Sequence, residues 1–370
     1  MTGISLRAAL REGGRDDLTV SAAVLELGLG LAPLQEPRAP GDADSQPRDS
    51  LPPAAAVPPL VARVLSGTVG VPPGRNRCYL FSGRGELIEE AVERSASVRR
   101  RAVTDLAAFE RAPVQEADGE RVLLAALQRI AGYWHWWIDV LPRIWLLDEH
   151  APGSDRCLPL VFPRLEQGFQ LESLRALGLL DRVRTLEPGL TRFGSVTFTE
   201  GLTGGGSRYP STALAGYSGW LRERLGIAPW ERGQGRRLYV SRADAATRRV
   251  VNEDELEPVL RTHGFERVEC SALPLAEQIR IFSEASAVIG PHGAGLTNLL
   301  FASSPASVIE VFCSGAELDI SNYRVLASHL GFEYRRLPAD PFGDPRRRSH
   351  DRDMRLDPAR LGEVLDELSL

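Results

Sequence analysis

Lysine is missing from this 370-residue chain, so all 44 of its basic residues are arginine. That absence excludes a lysine Schiff base, a lysine nucleophile and a lysine clamp on phosphate. Any cationic binding falls to guanidinium groups, which stay charged at all working pH values and grip phosphate in a planar fork. Cysteine is scarce. Cys78, Cys157, Cys270 and Cys313 lie far apart, and no C-x-x-C pair occurs. They read as core thiols in a reducing compartment. No apolar run reaches the length of a membrane span, and no charged-then-apolar leader opens the sequence. The expected setting is the cytoplasm, with peripheral contact at the inner face of the membrane. A net charge of −5 argues against a nucleic-acid binder. The phosphate-binding signature G-K-[ST] and the dinucleotide fingerprint G-x-G-x-x-G are both absent.

What is present is ordinary for a globular enzyme: 43% hydrophobic and 25% charged residues, in a chain long enough for two domains. Residues 1–59 read as an extension, with a helix around Leu18 to Leu29 and a linker rich in Pro, Ala, Asp and Ser from Pro33 to Pro59. Residues 60–228 read as an N-terminal α/β domain. A second boundary, marked by Pro229 and two glycines, falls at Ala228 to Gly235. Residues 229–370 read as a C-terminal α/β domain. Asp42-Ala-Asp44 and Asp351-Arg-Asp353 match a metal-binding D-x-D by spacing only, and no metal site is expected.

In the N-terminal half, short strands are expected at Val61 to Val69, Arg77 to Phe81, Glu86 to Ala91 and Arg121 to Leu127. Further strands at Leu158 to Phe162, Val183 to Leu186 and Ser195 to Thr199 alternate with helices at Phe169 to Leu177 and Ser211 to Leu225, the pattern of a mostly parallel sheet. Between them, the stretch from Gly132 to Leu147 holds four of the six tryptophans. Helical spacing puts Trp134, Trp137, Ile138, Leu141, Ile144 and Trp145 on one broad face. His135, Asp139 and Arg143 fall at i, i+4 and i+8 on the other. Pro142 predicts a kink or break. A histidine and a carboxylate one turn apart, flanked by aromatics, suit a site that binds a sugar and moves a proton; an amphipathic helix with a solvated stripe gives the same pattern.

The C-terminal half is the more regular. Strands are expected at Leu238 to Val240, Arg267 to Glu269, Ala287 to Ile289, Val308 to Phe312 and Tyr334 to Leu337. Helices are expected from Asn252, as N-cap, to Arg261, and at Leu275 to Ser283, Asn322 to Leu330 and Pro358 to Leu368. After the third of these strands comes Gly290-Pro291-His292-Gly293-Ala294-Gly295. The glycines permit a sharp turn and close approach of a ligand. A helix starting at about Ala294 would point its unpaired N–H groups and positive dipole end at the turn, an anion site suited to a diphosphate, with His292 beside it. Ser241-Arg242 follows the first strand, and ligands of doubly wound sheets bind at the carboxyl ends of strands.

Three segments together resemble glycosyltransferase family 61, in its bacterial, capsular-polysaccharide branch. The first runs from Tyr133-Trp134-His135-Trp136 through Asp139-Val140-Leu141-Pro142-Arg143, similar to H-W-x-x-D-x-L-P-R. The second is Leu238-Tyr239-Val240-Ser241-Arg242 with Arg248, Asn252 and Glu253, similar to Y-x-S-R…R-x-x-x-N-E. The third is Gly290 to Asn298 with Ile309-Glu310-Val311 behind it, similar to H-G-A-x-L-T-N…x-E; Gln278 also fits. One departure is Gly132, where the family often has Asn three residues before the histidine.

The resemblance implies a GT-B-like build, two Rossmann-like doubly wound domains facing a cleft. It also implies inverting, metal-independent transfer of a sugar from a nucleotide-sugar donor, a UDP-linked one, to a glycan or lipid-linked acceptor in surface polysaccharide synthesis. No cofactor is implied beyond that co-substrate. On this reading Asp139 and His135 are the catalytic candidates, one of them the base that takes the acceptor's proton; an unperturbed histidine titrates near ~6.5, suited to that work. Arg242, Arg248, His292, Gly293, Ala294, Gly295, Asn298 and Glu310 are the donor and diphosphate candidates, Arg249 standing as an alternative to Arg248. Trp134, Trp136 and Arg143 are the acceptor-side candidates. Two other readings fit the same residues: a non-catalytic nucleotide-sugar or glycan binder, and an epimerase or hydrolase of similar build.

Overall fold

The structure is a computed structural model, and it describes residues 3–4, 18–21, 61–92, 96–150, 156–199, 213–228, 235–302, 306–315 and 322–370. The expected linker from Pro33 to Pro59 and the Gly204-Gly205-Gly206 loop lie outside these residues. It is a mixed α/β protein with two sheets, and its contacts divide it into two units, one running to Ala213 and one from Leu214 to Leu370. Among the described residues no helix is long and apolar enough to cross a membrane.

The first sheet has ten strands: β1 (Gly3–Ile4), β2 (Leu18–Ser21), β3 (Val61–Leu65), β4 (Thr68–Val71), β5 (Tyr79–Phe81), β6 (Leu87–Ile88), β7 (Val114–Leu124), β8 (Leu160–Phe162), β9 (Val183–Thr185) and β10 (Gly189–Thr199). The order is β1-β6-β5-β4-β10-β7-β8-β9, with β3 pairing β10 and β2. β7, β8, β9 and β10 form the parallel part, and β3, β4, β5 and β6 add an antiparallel part. This corrects the expectation of a doubly wound sheet in this half. The links between β3, β4, β5 and β6 are too short for the crossover that parallel pairing needs. One is the Gly83-Arg84-Gly85 turn, closed by Gly85 N–H to Ser82 O at 2.9 Å. The expected single strand Val61 to Val69 is broken at Ser66, which has a positive φ of 49°. Leu18–Ser21, expected to begin a helix, is a strand against β3.

β10 anchors the sheet. Its first half pairs with β4 and its second with β3 on one edge, while β7 runs along the other. The register slips between Phe193 and Ser195. There Gly194 lies against the Gly119 backbone, and a Cβ at 194 would meet it at 3.1 Å. Val64, Val69, Val122, Leu124, Val161, Phe193, Val196 and Phe198 fill the core beneath.

The helices of this unit are α1 (Ala96–Ala107), α2 and α3 (Gly168–Ala176). α2 is composite: Tyr133–His135, then a π turn over Trp136–Val140, then Leu141–His150.

The second unit holds β11 (Arg236–Val240), β12 (Phe265–Val268), β13 (Ala285–Pro291), β14 (Ser307–Cys313), β15 (Glu333–Phe342) and β16 (Asp353–Arg355), in the order β12-β11-β13-β14-β15-β16. The first five are parallel, and β16 is an antiparallel edge. Counted from β11, the parallel order is 2-1-3-4-5, doubly wound with its switch between β11 and β13. β11 to β15 each overlap their expected places, and β11, β13 and β14 do so because they carry short apolar runs punctuated by Gly or Pro.

Helices α4 (Leu214–Arg224), α5 (Glu253–Thr262), α6 (Leu275–Ser283), α7 (Asn322–His329) and α8 (Pro358–Glu367) complete the unit. α4 precedes the expected boundary at 228/229, yet it packs in this unit: Ser218 Oγ donates to Leu300 O and Arg222 Nη1 to Ala302 O, both at 2.9 Å. Asn252 does not cap α5 with its side chain. Its amide pairs instead with the Leu356 backbone, Nδ2 donating at 2.8 Å and Oδ1 accepting at 3.1 Å, a strand-like link across 104 residues.

Candidate functional site

In the N-terminal unit the candidate residues sit on α2. Pro142 has no N–H to offer the preceding turn. That turn is widened, and the Leu141 N–H reaches back five residues to Trp136 O. A π turn slips the residues beyond it by ~100° relative to a regular helix. The face expected from a 3.6 period is therefore not the face observed. From Trp136 to Leu147 every residue is buried except Asp139. A helix buried on all sides, open at a single carboxylate, marks a site better than an amphipathic stripe does.

Asp139 Oδ2 is 2.7 Å from His135 Nδ1, and both side chains are about a quarter exposed, 22% and 29%. This contact fixes which ring nitrogen faces the carboxylate and leaves Nε2 on the other side of the ring. Gly132 sits directly behind: a Cβ there would lie 3.1 Å from His135 Cδ2. The remaining candidates on α2 divide. Trp134 is half-buried. Trp136 is fully buried, donates from Nε1 to Ser173 Oγ at 2.8 Å and packs on Phe162 and Phe169. That places it in the core, without surface for an acceptor. Arg143 is also buried, off the His135–Asp139 stripe, and bonds two backbone carbonyls.

In the C-terminal unit the candidates gather at the carboxyl ends of β11 and β13, where the sheet order switches. The glycines of the turn serve close packing rather than bending, since none of Gly290, Gly293 and Gly295 has a φ in the left-handed region. A Cβ at Gly290 would lie 2.9 Å from Val240 Cβ, and one at Gly295 2.9 Å from Val240 Cγ1. A Cβ at Gly293 would lie 2.0 Å from Arg242 Nη1 and 2.7 Å from Cζ. The Arg242 guanidinium therefore rests on the bare Cα of Gly293. The segment that follows, Ala294–Phe301, is a 3-10 helix rather than the expected α-helix. Its first internal bond is Leu296 N–H to Gly293 O at 3.0 Å, so the N–H groups of Ala294 and Gly295 precede the ladder. Ala294 is exposed and Gly295 half-buried.

Among the described residues, no carboxylate forms an ion pair with Arg242 or Arg248. Arg242 Nη2 donates to Thr247 O at 3.3 Å. Its Nε and that of Arg248 are buried without a hydrogen-bond partner. Burial first, and then the like charge of Arg248, pull Arg242 below the usual arginine range. Arg248 holds a left-handed φ of 63°, a strained conformation for a side chain of its kind. Two neighbouring guanidinium groups with no ion-paired carboxylate among the described residues, beside N–H groups that precede the ladder, are suited to an anion. Arg249 is elsewhere: it is exposed and bonds Asp353 through Nε and Nη2 at 3.1 and 2.6 Å, which also occupies one aspartate of the D-x-D.

His292 and Glu310 are partners. The Nδ1 of His292 hydrogen-bonds Glu310 Oε1, and the Tyr334 hydroxyl donates to Oε2. Glu310 is 3% exposed, which leaves its carboxylate between these two donors. Burial, then the Glu310 charge, hold the Tyr334 hydroxyl well above the usual tyrosine range. Tyr323 lies edge-on to His292, ring centroids 5.1 Å apart, and senses both Arg242 and Arg248. Asn298 is fully buried and donates to Gln278 Oε1 at 2.9 Å, while Gln278 Nε2 bonds the Cys270 and Leu273 carbonyls. These two residues brace the turn from behind.

Sequence reasoning missed Tyr323 and the work of Glu253. Glu253 is buried and accepts from the Tyr239 hydroxyl at 3.1 Å, the Ser241 hydroxyl at 2.7 Å and Arg267 Nη2 at 2.8 Å. Ser241 Oγ also accepts from Ala243 N–H at 3.1 Å. The carboxylate thus latches the bend that carries Arg242. The signal was present in the spacing, a tyrosine and a serine two apart on a strand facing a glutamate in the next helix. Tyr323, in the first turn of the helix after β14, had a comparable signal at a strand's carboxyl end.

A family model described as Glycosyltransferase 61 matches residues 133–309, from the first residue of α2 into β14. The EGF domain-specific O-linked N-acetylglucosamine transferase of Drosophila melanogaster is 36% identical over 125 residues, 32% of this chain and 23% of that relative. The aligned part of the chain thus spans under a quarter of the relative's length. The matched span, just under half of the chain, holds His135 and Asp139, the Arg242–Arg248 pair and the Gly293 turn, and over it this chain matches glycosyltransferase family 61.

Proposed function

We propose that the chain is an inverting glycosyltransferase of GT-B-like build, working from a nucleoside diphosphate-sugar without a required metal. The observation that carries this reading is the Arg242–Arg248 pair, without an ion-paired carboxylate among the described residues, with Arg242 seated on Gly293 at the β11/β13 switch point. As the bond from the anomeric carbon to the diphosphate breaks, its electron pair stays on the phosphate oxygen. Fixed guanidinium and N–H donors stabilise that charge. On the acceptor side, the attacking hydroxyl oxygen bonds the anomeric carbon from the opposite face and gives its proton to the His135–Asp139 pair. Donor and acceptor faces are assigned to the C-terminal and N-terminal units respectively.

The acceptor is a hydroxyl of a glycan or lipid-linked glycan in surface polysaccharide synthesis, at the cytoplasmic face of the membrane. The relative's name makes N-acetylglucosamine the first sugar to test, as its UDP-linked form. Calorimetric titration with UDP is expected to show Arg242→Ala and Arg248→Ala each weakening binding by about 1.5–3 kcal/mol, the range for charge-assisted hydrogen bonds. Asp139→Asn and His135→Ala should bind UDP as the wild type does and lose turnover, with chelator present throughout. Unchanged UDP affinity in both arginine variants would remove the diphosphate assignment. Donor turnover with no acceptor dependence would favour a hydrolase or epimerase, and binding without any turnover a non-catalytic binder.

A further inference from the structure

Arg143 ends the charged stripe in the sequence, yet its side chain is turned inward and 8% exposed. Its Nε donates to Asp139 O at 2.6 Å, and its Nη1 to Thr199 O at 2.7 Å. The guanidinium also lies over the Phe198 ring, 5.5 Å from the centroid. Asp139 O belongs to the π turn of α2, and Thr199 ends β10. One planar group thus ties the widened turn to the strand that anchors the sheet.

The π turn needs such a tie. In a regular helix the Asp139 carbonyl would face the backbone N–H of residue 143. Here the Arg143 side chain reaches back to that carbonyl, one residue after Pro142, which has no N–H. The Asp139 carboxylate that meets His135 at 2.7 Å is on the same residue. Any slip of this turn toward a regular α-helical register would rotate Asp139 relative to His135. Lysine cannot replace the clamp, because a single ammonium point does not span two carbonyls in a fixed fork.

We infer that Arg143 is a positioning residue, which clamps the π turn through the Asp139 and Thr199 carbonyls and so sets the His135–Asp139 contact. As a statement about catalysis, it rests on the proposed function above. The test is the NMR spectrum of the His135 ring nitrogens in the full chain at one fixed pH, its signals identified among six histidines by a His135→Gln variant. Arg143→Lys and Arg143→Met should move the His135 Nδ1 signal toward that of Asp139→Asn, as loss of the 2.7 Å contact does, while leaving His292 unmoved. Pro142→Ala, which restores an N–H and lets the turn close, should move it the same way. In steady-state assays the arginine variants should lower kcat about tenfold or more, as misplacement of a reacting group does. Donor KM should stay within about twofold, as expected when ground-state binding is untouched.

A folded Arg143→Lys or Pro142→Ala variant with wild-type His135 ring signals would overturn the inference. Shifted His135 ring signals combined with full turnover by Asp139→Asn would uphold the positioning and sink the catalytic reading instead.

Discussion

Arg242 and Gly293 are a matched pair. The guanidinium occupies the volume a Cβ at 293 would take, so Gly293 is required by its neighbour and not by its own backbone, whose φ of 175° any residue adopts. Gly293→Ala should therefore displace Arg242 and leave the fold standing. The expected result is a nucleoside diphosphate affinity about tenfold to a hundredfold weaker, the loss of one charge-assisted contact, with little change in thermal midpoint. An unfolded variant, or one with wild-type affinity, would contradict the pairing. Single residues also set the limit of what the sequence discloses. Arg242 and Arg248 were legible because a strand's carboxyl end and a glycine turn bring them together by topology. The burial of Arg143 and Trp136, taken from the family resemblance as acceptor-side residues, was not legible, because a π turn that no periodicity records carries α2 off the 3.6 period.

At the scale of elements, Val240 of β11 is the residue against which the turn is built. Gly290 meets its Cβ and backbone oxygen, whereas Gly295 meets only its Cγ1 and Cys270. The two glycines should respond differently to trimming Val240. Gly290→Ala and Gly295→Ala are each expected to destabilise by about 1–3 kcal/mol through overpacking. Adding Val240→Ala should recover part of the Gly295→Ala loss, with a coupling of about 0.5–3 kcal/mol, and recover little of the Gly290→Ala loss. Denaturant unfolding of the three single and two double variants against wild type checks both halves. The second sheet was readable because β11, β13 and β14 carry short buried apolar runs with Gly or Pro at their ends. In the first, β3 to β6, β8 and β9 fall where expected; what escaped were β1, β2 and the first halves of β7 and β10, since β10 carries Gly189 and Gly194 and a bulge, and only its Ser195–Thr199 end has the look of a strand. The antiparallel pairing of β3 and β4 with β10 joins distant segments that local pattern does not encode.

At the scale of the whole molecule, buried hydroxyls and thiols govern behaviour in alkali. Burial raises Tyr79, Tyr323, Tyr334 and Tyr239 above the ordinary tyrosine range, the last two further through Glu310 and Glu253, and pushes the Cys270 thiol up to about 12. In the unfolded chain tyrosines ionise near ~10 and cysteines near ~8.5. Above those values the unfolded state has released protons that the native state keeps, so stability is full below them and falls as pH rises, by up to about 1.4 kcal/mol per pH unit for each such group. Thermal midpoints measured from pH 8 to 12 should decline across that window. Four of the seven tyrosines should gain tyrosinate absorbance only as the fold is lost. Full tyrosinate absorbance with native circular dichroism would contradict this.

The Arg242–Arg248 pair carries a practical corollary for whoever purifies this protein. The two neighbouring cations repel each other, and any small oxyanion that seats between them stabilises the fold by mass action, about 2.7 kcal/mol at a hundred times its dissociation constant. Phosphate and sulfate would thus preserve the preparation on the shelf while competing with the sugar nucleotide in the cuvette. The salts that keep the enzyme longest are the ones in which it should work slowest.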